Sequence, residues 1–164
     1  MYCRILLAYD GSSDGQKALR EGALLAMTCG AEVFLLSVIP DSTGVVVADA
    51  AFAGALSQQE ENYRAIFENG IARLKAIGFK PSGKLVCGDP AQQIGAVAKA
   101  IGAELVVVGH RKRSIMERWW SGSSGSYLMD RLDCSLLVSR HSISDETFAK
   151  ALEAFRLKTA VPEV

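Results

Sequence analysis

The chain has 164 residues, of which 49% are hydrophobic and 22% charged, as in an ordinary single globular domain with enough length for a core. Eighteen basic residues balance eighteen acidic ones, so no basic excess points to nucleic acid or to an anionic membrane as a partner. The start is not a secretory signal, and no run of about 18 apolar residues occurs. We therefore expect a cytoplasmic protein without a membrane partner.

The four cysteines stand far apart, and none forms a C-x-x-C pair. His110 and His141 add no zinc-site spacing. Because Cys87 and Cys134 adjoin apolar runs, the sequence predicts small core residues in a reducing compartment, not metal ligands or a disulfide framework.

The first half alternates strand and helix patterns. An apolar run at residues 3–9 ends in Asp10-Gly11-Ser12-Ser13, which predicts a strand and a turn. A helix from Asp14 to Cys29 follows, capped by Ser12 or Ser13. Residues 32–39 are almost entirely apolar, as expected of a strand covered by helices on both faces.

The middle of the chain begins with a long segment, residues 40–56, that carries no helical period and predicts a connection. Ser57-Gln58-Gln59-Glu60 is typical of a capping box that opens a helix to Ile77. A short third strand is predicted at residues 84–87. Asp89 and Pro90 then predict the start of a helix that ends near Gly102.

The last third contains a fourth strand at residues 104–108, which ends at Gly109. A Gly/Ser-rich stretch at residues 121–126 predicts the start of a helix through Tyr127, Leu128 and Leu132, and a fifth strand follows at residues 135–139. Alternating strands and helices predict a parallel sheet with right-handed crossovers.

The tail is predicted to form a helical extension, residues 141–164, beyond a domain at residues 1–140. Phe148, Leu152 and Phe155 recur at helical spacing, so this helix must pack on the domain or on a partner.

Ligands of an open parallel sheet bind beyond the carboxyl ends of its strands, where the strand order reverses. The sequence has no Walker A string, and Gly11 and Gly15 do not complete a dinucleotide fingerprint. The fourth strand instead runs into Gly109, a basic stretch and then Gly122-Ser123 at a helix start. Free N–H groups and a positive dipole at such a start suit a phosphate.

Together these features resemble the universal stress protein family across nearly all of residues 1–140. The matching segments are Tyr9-Asp10-Gly11-Ser12, Gly88-Asp89-Pro90, Leu105–Arg111, Gly122-Ser123 and Cys134–Val138.

The resemblance implies a three-layer α/β fold of the adenine nucleotide alpha hydrolase type. Its open parallel five-stranded sheet would have strand order 3-2-1-4-5 and helices on both faces. The resemblance also implies binding of ATP, AMP or ADP, with or without magnesium, and a homodimer paired through the strand Ser135–Ser139. No nucleophile and base stand out together in the sequence, so we expect no enzyme beyond slow ATP hydrolysis.

The ATP-binding branch of that family carries the motif G-x2-G-x9-G-[ST], which this sequence gives as Gly109-x2-Lys112-x9-Gly122-Ser123. Lys112 replaces the middle glycine. Either the Lys112 backbone is strained there, by about 1 kcal/mol or more, or the loop bends elsewhere and the Lys112 ammonium meets the phosphates.

By the same resemblance, Asp10 would hold the ribose or a nucleotide-bound magnesium, and backbone groups of Val38 would meet the adenine edge. Ala8 would line the pocket, and Val108 and Gly109 would flank the ribose. Phosphates would bind Gly122, Ser123 and Ser124. The implied nucleotide-binding residues are Ala8, Asp10, Val38, Val108, Gly109, Arg111, Lys112, Gly122, Ser123 and Ser124.

Two alternatives stay open. Asp10, Ser123 and Ser124 are also suited to capping helices alone. The chain as a whole is also compatible with a nucleotide-independent dimeric interaction module of the same family, which Lys112 favours and the intact Gly109 and Gly122-Ser123 spacing opposes.

Overall fold

A computed structural model describes residues 1–41, 50–110 and 128–160, and side chains within residues 1–41, 57–110 and 128–157. Five parallel strands form one sheet in the order β3-β2-β1-β4-β5, which confirms the predicted fold class. The strands are β1 (Arg4–Ala8), β2 (Glu32–Pro40), β3 (Ser82–Gly88), β4 (Leu105–Gly109) and β5 (Ser135–Ser139). The helices are α1 (Ser13–Cys29), α2 (Ala50–Ile77), α3 (Pro90–Ile101) and α4 (Asp145–Ala160), with a 3₁₀ turn at Met129–Arg131.

Each face of the sheet has its own core, because successive side chains of a strand point to opposite faces. Leu7 and Val107 lie on the face that α1 and α2 cover, and Leu6 and Val106 lie on the face that α3 covers. All four side chains are at most 1% exposed. The central strands are therefore apolar at nearly every position, as predicted.

The helix starts follow their capping residues. Of the two predicted caps of α1, Ser12 is the one used, and its hydroxyl accepts a hydrogen bond from the Gly15 N–H at 3.0 Å. The Asp89 carboxylate caps α3 in the same way, 2.8 Å from the Gln92 N–H. Each cap satisfies a backbone donor that the first turn of a helix leaves open.

The predicted start of α2 is wrong. The helix begins at Ala50, so Ser57 lies inside it and is not its N-cap. The segment 50–56 is rich in alanine, the best helix former, and needs no apolar stripe to be helical. Residues 42–49 of the predicted connection lie outside the described residues.

The helix predicted through Leu132 is also wrong in its last part. Only the 3₁₀ turn at Met129–Arg131 is helical there, and Leu132 is already extended at φ −107° and ψ 125°. Its side chain packs against the α3-side core as the chain enters β5. The earlier part of that prediction, residues 121–127, lies outside the described residues.

The predicted core position of Cys87 is wrong. All four cysteines are free thiols. Cys87 is exposed because β3 is an edge strand among the described strands of the sheet. Partial burial raises the pKa of the Cys134 thiol, with a smaller contribution from Asp133.

The C-terminal helix α4 packs on α1 of the same chain, and Arg20 makes three of the contacts. Its guanidinium donates a hydrogen bond to the Ile143 carbonyl at 3.2 Å and pairs with the Asp145 carboxylate. It also lies 5.5 Å from the centre of the Phe148 ring, within the range of a cation–π contact. Among the helices of the described segments, none combines the length and apolarity needed to cross a bilayer.

Glu104 joins β4 to β1 at the amino edge of the sheet. Its carboxylate accepts hydrogen bonds from the backbone N–H groups of Cys3 and Arg4, the latter at 3.3 Å. These bonds favour the charged form and hold the pKa of Glu104 below its ordinary value of 4.5.

We expect this carboxylate to make folding stability depend on acid. Because its pKa is lower in the folded state, its contribution is present above pH 4.5 and is lost as pH falls through the folded pKa. Glu104→Gln should lower the free energy of unfolding at neutral pH and reduce the further loss below pH 4.5. Urea unfolding across that range measures both effects. Glu153→Gln, at an exposed position of α4, is the control, and identical pH profiles for the two variants would contradict the assignment.

Candidate functional site

The strand order reverses between β1 and β4, at the centre of the sheet. β1 pairs with β2 on one side and with β4 on the other, and the chain leaves β1 and β4 toward opposite halves of the sheet. A crevice therefore opens beyond the carboxyl ends of these two strands, where ligands bind in folds of this type.

The loop after β1 is ordered by its own polar groups. The Asp10 Oδ1 atom accepts hydrogen bonds from the Ser12 N–H at 3.0 Å and from the Ser12 hydroxyl at 2.6 Å. Gly11 adopts the left-handed φ of 75° that this tight turn requires. A side chain at Gly15 would collide with the Asp10 carboxylate. The Asp10 side chain is exposed, and its hydrogen bonds to Ser12 fix its orientation.

Tyr9 joins this loop to β2. Its N–H donates to the Leu36 carbonyl at 2.8 Å, and its carbonyl accepts from the buried Ser37 hydroxyl at 2.7 Å. The Tyr9 side chain is only 4% exposed. Burial raises the pKa of its phenol; the charge of Arg73 opposes this rise and that of Asp10 adds to it. Tyr9 is thus part of the core on the α1 and α2 face of the sheet.

Gly109, at the end of β4, lies against the first turn of α1. A Cβ atom there would be 2.6 Å from the carbonyl carbon and oxygen of Asp14. The next residue, His110, continues the strand contact by donating its N–H to the Ser139 carbonyl at 3.0 Å. Only glycine lets β4 and α1 approach this closely, so Gly109 has a packing role apart from any ligand.

Three of the implied binding residues share one face of the sheet. Ala8, Val38 and Val108 belong to the α3-side core, at or near the carboxyl ends of β1, β2 and β4. Val108 is buried, whereas Ala8 and Val38 are half-buried. The structure thus brings an apolar wall from three strands to the edge that also carries Asp10 and Gly109.

The other five implied residues cannot be placed in the same way. Arg111, Lys112, Gly122, Ser123 and Ser124 lie outside the described residues. The described part of the site is therefore the side toward base and ribose in the predicted arrangement.

Sequence reasoning missed Ser37 and the packing role of Gly15. Ser37 is the one polar residue in the apolar run 33–39, which is a signal for a buried hydrogen bond. Gly15 lies in the first turn of a helix, where glycine is unfavourable, so its presence there indicates a packing requirement.

Within residues 1–41, 57–110 and 128–157, no group of three or more His, Cys, Asp or Glu side chains is arranged to hold a metal ion.

Comparison with known proteins agrees with this architecture. The model of the universal stress protein family matches residues 1–140. The chain belongs to the universal stress protein family. Its relatives include YxiE of Bacillus subtilis, 28% identical over 148 residues, which cover 85% of this chain and all of that protein. A universal stress protein of Synechocystis sp. is 24% identical, with 85% of this chain and 99% of that one covered.

Solved structures of universal stress proteins share the fold. The protein UspA of Lactobacillus plantarum superposes with a TM-score of 0.67 at 24% identity, covering 85% of this chain and 98% of its own. A member of the fold solved with cAMP is 21% identical, with a TM-score of 0.64 and 86% of this chain covered. A member from Arabidopsis thaliana solved with AMP is 16% identical, with a TM-score of 0.60 and 88% of this chain covered. A member from Archaeoglobus fulgidus solved with dAMP is 18% identical, with a TM-score of 0.57 and 84% of this chain covered.

We expect Gly109→Ala to destabilise the protein by about 2 kcal/mol or more, because the added methyl group meets backbone that moves only with the whole of α1. Gly30→Ala is the matched control, since its methyl group meets nothing within 4 Å and only the left-handed φ of 65° is strained. That strain costs about 1 kcal/mol. Urea denaturation compares the two variants, and a Gly109→Ala protein as stable as the wild type would contradict the close contact.

Proposed function

We propose that this universal stress protein binds an adenine nucleotide in the crevice between β1 and β4. The observation that carries the proposal is the juxtaposition of the Asp10 loop, the Gly109 strand end and the apolar wall at the point where the strand order reverses. Relatives with the same fold were solved with AMP, cAMP and dAMP, which supports adenine as the recognised base.

Each part of the crevice suits one part of such a ligand. The half-buried side chains of Ala8 and Val38 offer apolar contact to a base. The exposed Asp10 carboxylate, held by Ser12, would accept hydrogen bonds from ribose hydroxyls. We propose that Gly122, Ser123 and Ser124 hold the phosphates together with Arg111 and Lys112, so that ATP, ADP and AMP differ mainly in these contacts.

We propose a binding and signalling role in the stress response, not catalysis. The sequence has no Walker lysine, and ATP hydrolysis would be slow at most. Nucleotide binding would instead favour one conformation or one dimer arrangement, which a partner then recognises.

The proposed dimer uses β5, the edge strand next to β4. Leu136, Leu137 and Val138 are only half-buried in the single chain, and an edge strand presents unpaired backbone groups. Pairing of two copies through Ser135–Ser139 would cover these apolar side chains and pair the backbone groups of the edge.

Calorimetry tests the binding function on protein stripped of any nucleotide that it retains on purification. We expect heat of binding and a rise in melting temperature with ATP and magnesium, ADP or AMP. Asp10→Ala should weaken all three ligands to a similar extent, because they share the ribose.

The absence of both binding heat and a thermal shift at about 1 mM of each nucleotide would contradict the proposal. If the protein were still a dimer under those conditions, the nucleotide-independent interaction module, which Lys112 in place of the family's glycine favours, would take its place.

The phosphate contacts have a separate test. Ser123→Ala combined with Ser124→Ala should weaken ATP about tenfold and leave adenosine unchanged, because only ATP carries phosphates for these hydroxyls. Ser82→Ala, a change of the same type at an exposed residue of β3, should alter neither ligand. Equal losses for ATP and adenosine would show that the serines act on the fold and not on the phosphates.

A further inference from the structure

Ser37 is a polar residue buried in an apolar strand. Its side chain is 0% exposed, and its neighbours in β2, Leu36 and Val38, belong to the α3-side core. Burial of a hydroxyl is unfavourable unless it is hydrogen-bonded. The Ser37 hydroxyl meets this need by donating to the Tyr9 carbonyl at 2.7 Å.

That hydrogen bond lies where the β1–β2 ladder stops. Ala8 is in register with Leu36, and the last backbone bond of the ladder runs from the Tyr9 N–H to the Leu36 carbonyl at 2.8 Å. In a parallel ladder the next bond would run from the Val38 N–H to the Tyr9 carbonyl. The Ser37 hydroxyl occupies that carbonyl instead.

The backbone groups of Val38 face the crevice because β2 extends beyond the end of β1. In a parallel ladder the backbone groups of alternate residues point to the same side, so those of Val38 point as those of Leu36 do, toward β1. β1 ends at Ala8, whereas β2 continues to Pro40, paired with β3 on its other side. The N–H and C=O groups of Val38 thus lie side by side past the end of β1.

Adenine carries an amino donor beside a ring-nitrogen acceptor, which matches one backbone C=O and one backbone N–H. Hypoxanthine carries a carbonyl acceptor and a ring N–H at the same two positions, so it reverses the pattern. The Val38 peptide groups can therefore distinguish the two bases, provided that the N–H is not taken up by Tyr9.

We propose that Ser37 is a specificity-determining positioning residue: its hydroxyl ends the β1–β2 ladder at Tyr9 and keeps the Val38 N–H available to the adenine ring. The proposal rests on the proposed nucleotide site. Ser37 itself touches no ligand and acts through the Tyr9 carbonyl and the Val38 amide.

Two variants of equal shape test the role of the hydroxyl. Ser37→Thr keeps it, and Ser37→Val replaces it with a methyl group, so any effect of the added bulk is common to both. Calorimetry with AMP and with inosine monophosphate gives the preference for adenine. We expect the wild type and Ser37→Thr to prefer AMP, and Ser37→Val to lose about tenfold of that preference, as for one hydrogen bond. A merely structural change would weaken both nucleotides equally and leave the ratio unchanged.

Amide hydrogen exchange tests the same idea without a ligand. In Ser37→Val the Tyr9 carbonyl is open to the Val38 N–H, so Val38 exchange should slow relative to that of Leu36. In Ser37→Thr the relative rate should stay as in the wild type.

The outcomes separate this inference from the nucleotide site on which it rests. An unchanged preference for AMP in Ser37→Val, with a wild type that binds AMP, would overturn the role of Ser37 alone. Equal Val38 exchange in the two variants would overturn it as well. A wild type that binds neither nucleotide would overturn the nucleotide site, and the specificity role of Ser37 with it.

Discussion

Burial of β1 on both faces is the constraint on which the rest of the molecule depends. Ile5, Leu6 and Leu7 are at most 1% exposed, because β1 is hydrogen-bonded to β2 and β4 and covered by helices above and below. The first exposed residue after β1 is Asp10, which follows the buried Tyr9. The polar loop that follows is thus anchored by a buried central strand of the sheet.

Close backbone packing of β4 and the Asp10 loop against α1 shapes the crevice. Gly109 lets the end of β4 touch the first turn of α1, and Gly15 leaves room in that turn for the Asp10 carboxylate. The Asp10 carboxylate and the end of β4 therefore both lie against the first turn of α1. The Ser37 hydroxyl of β2 adds a third contact, a hydrogen bond to the Tyr9 carbonyl. A ligand in this crevice would meet groups whose positions are set before it binds, which limits the ordering cost of binding.

The C-terminal helix stands apart from this arrangement. It lies beyond the family match at residues 1–140, yet Arg20 of α1 ties it to the domain through Ile143, Asp145 and Phe148. Those contacts lie on the α1 side of the molecule, whereas Ala8, Val38 and Val108 belong to the core on the opposite face. The extension thus covers α1 without contributing to the apolar wall.

The sequence by itself determined the alternation of strands and helices, the buried strands, the Asp89 cap and the edge of the sheet that carries Asp10 and Gly109. These follow from local patterns: apolar runs, capping side chains and the rule that parallel strands end at one edge. For α1 the sequence left two candidate caps, Ser12 and Ser13, of which the structure uses Ser12. The tertiary structure decided what no local pattern carries. The start of α2 at Ala50 has no apolar period to reveal it, and the exposure of Cys87 follows from the edge position of β3. Ser37 and Gly109 acquire their roles from Tyr9 and Asp14, residues distant in the chain, because a hydrogen bond or a close contact depends on distance in space and not on separation in sequence.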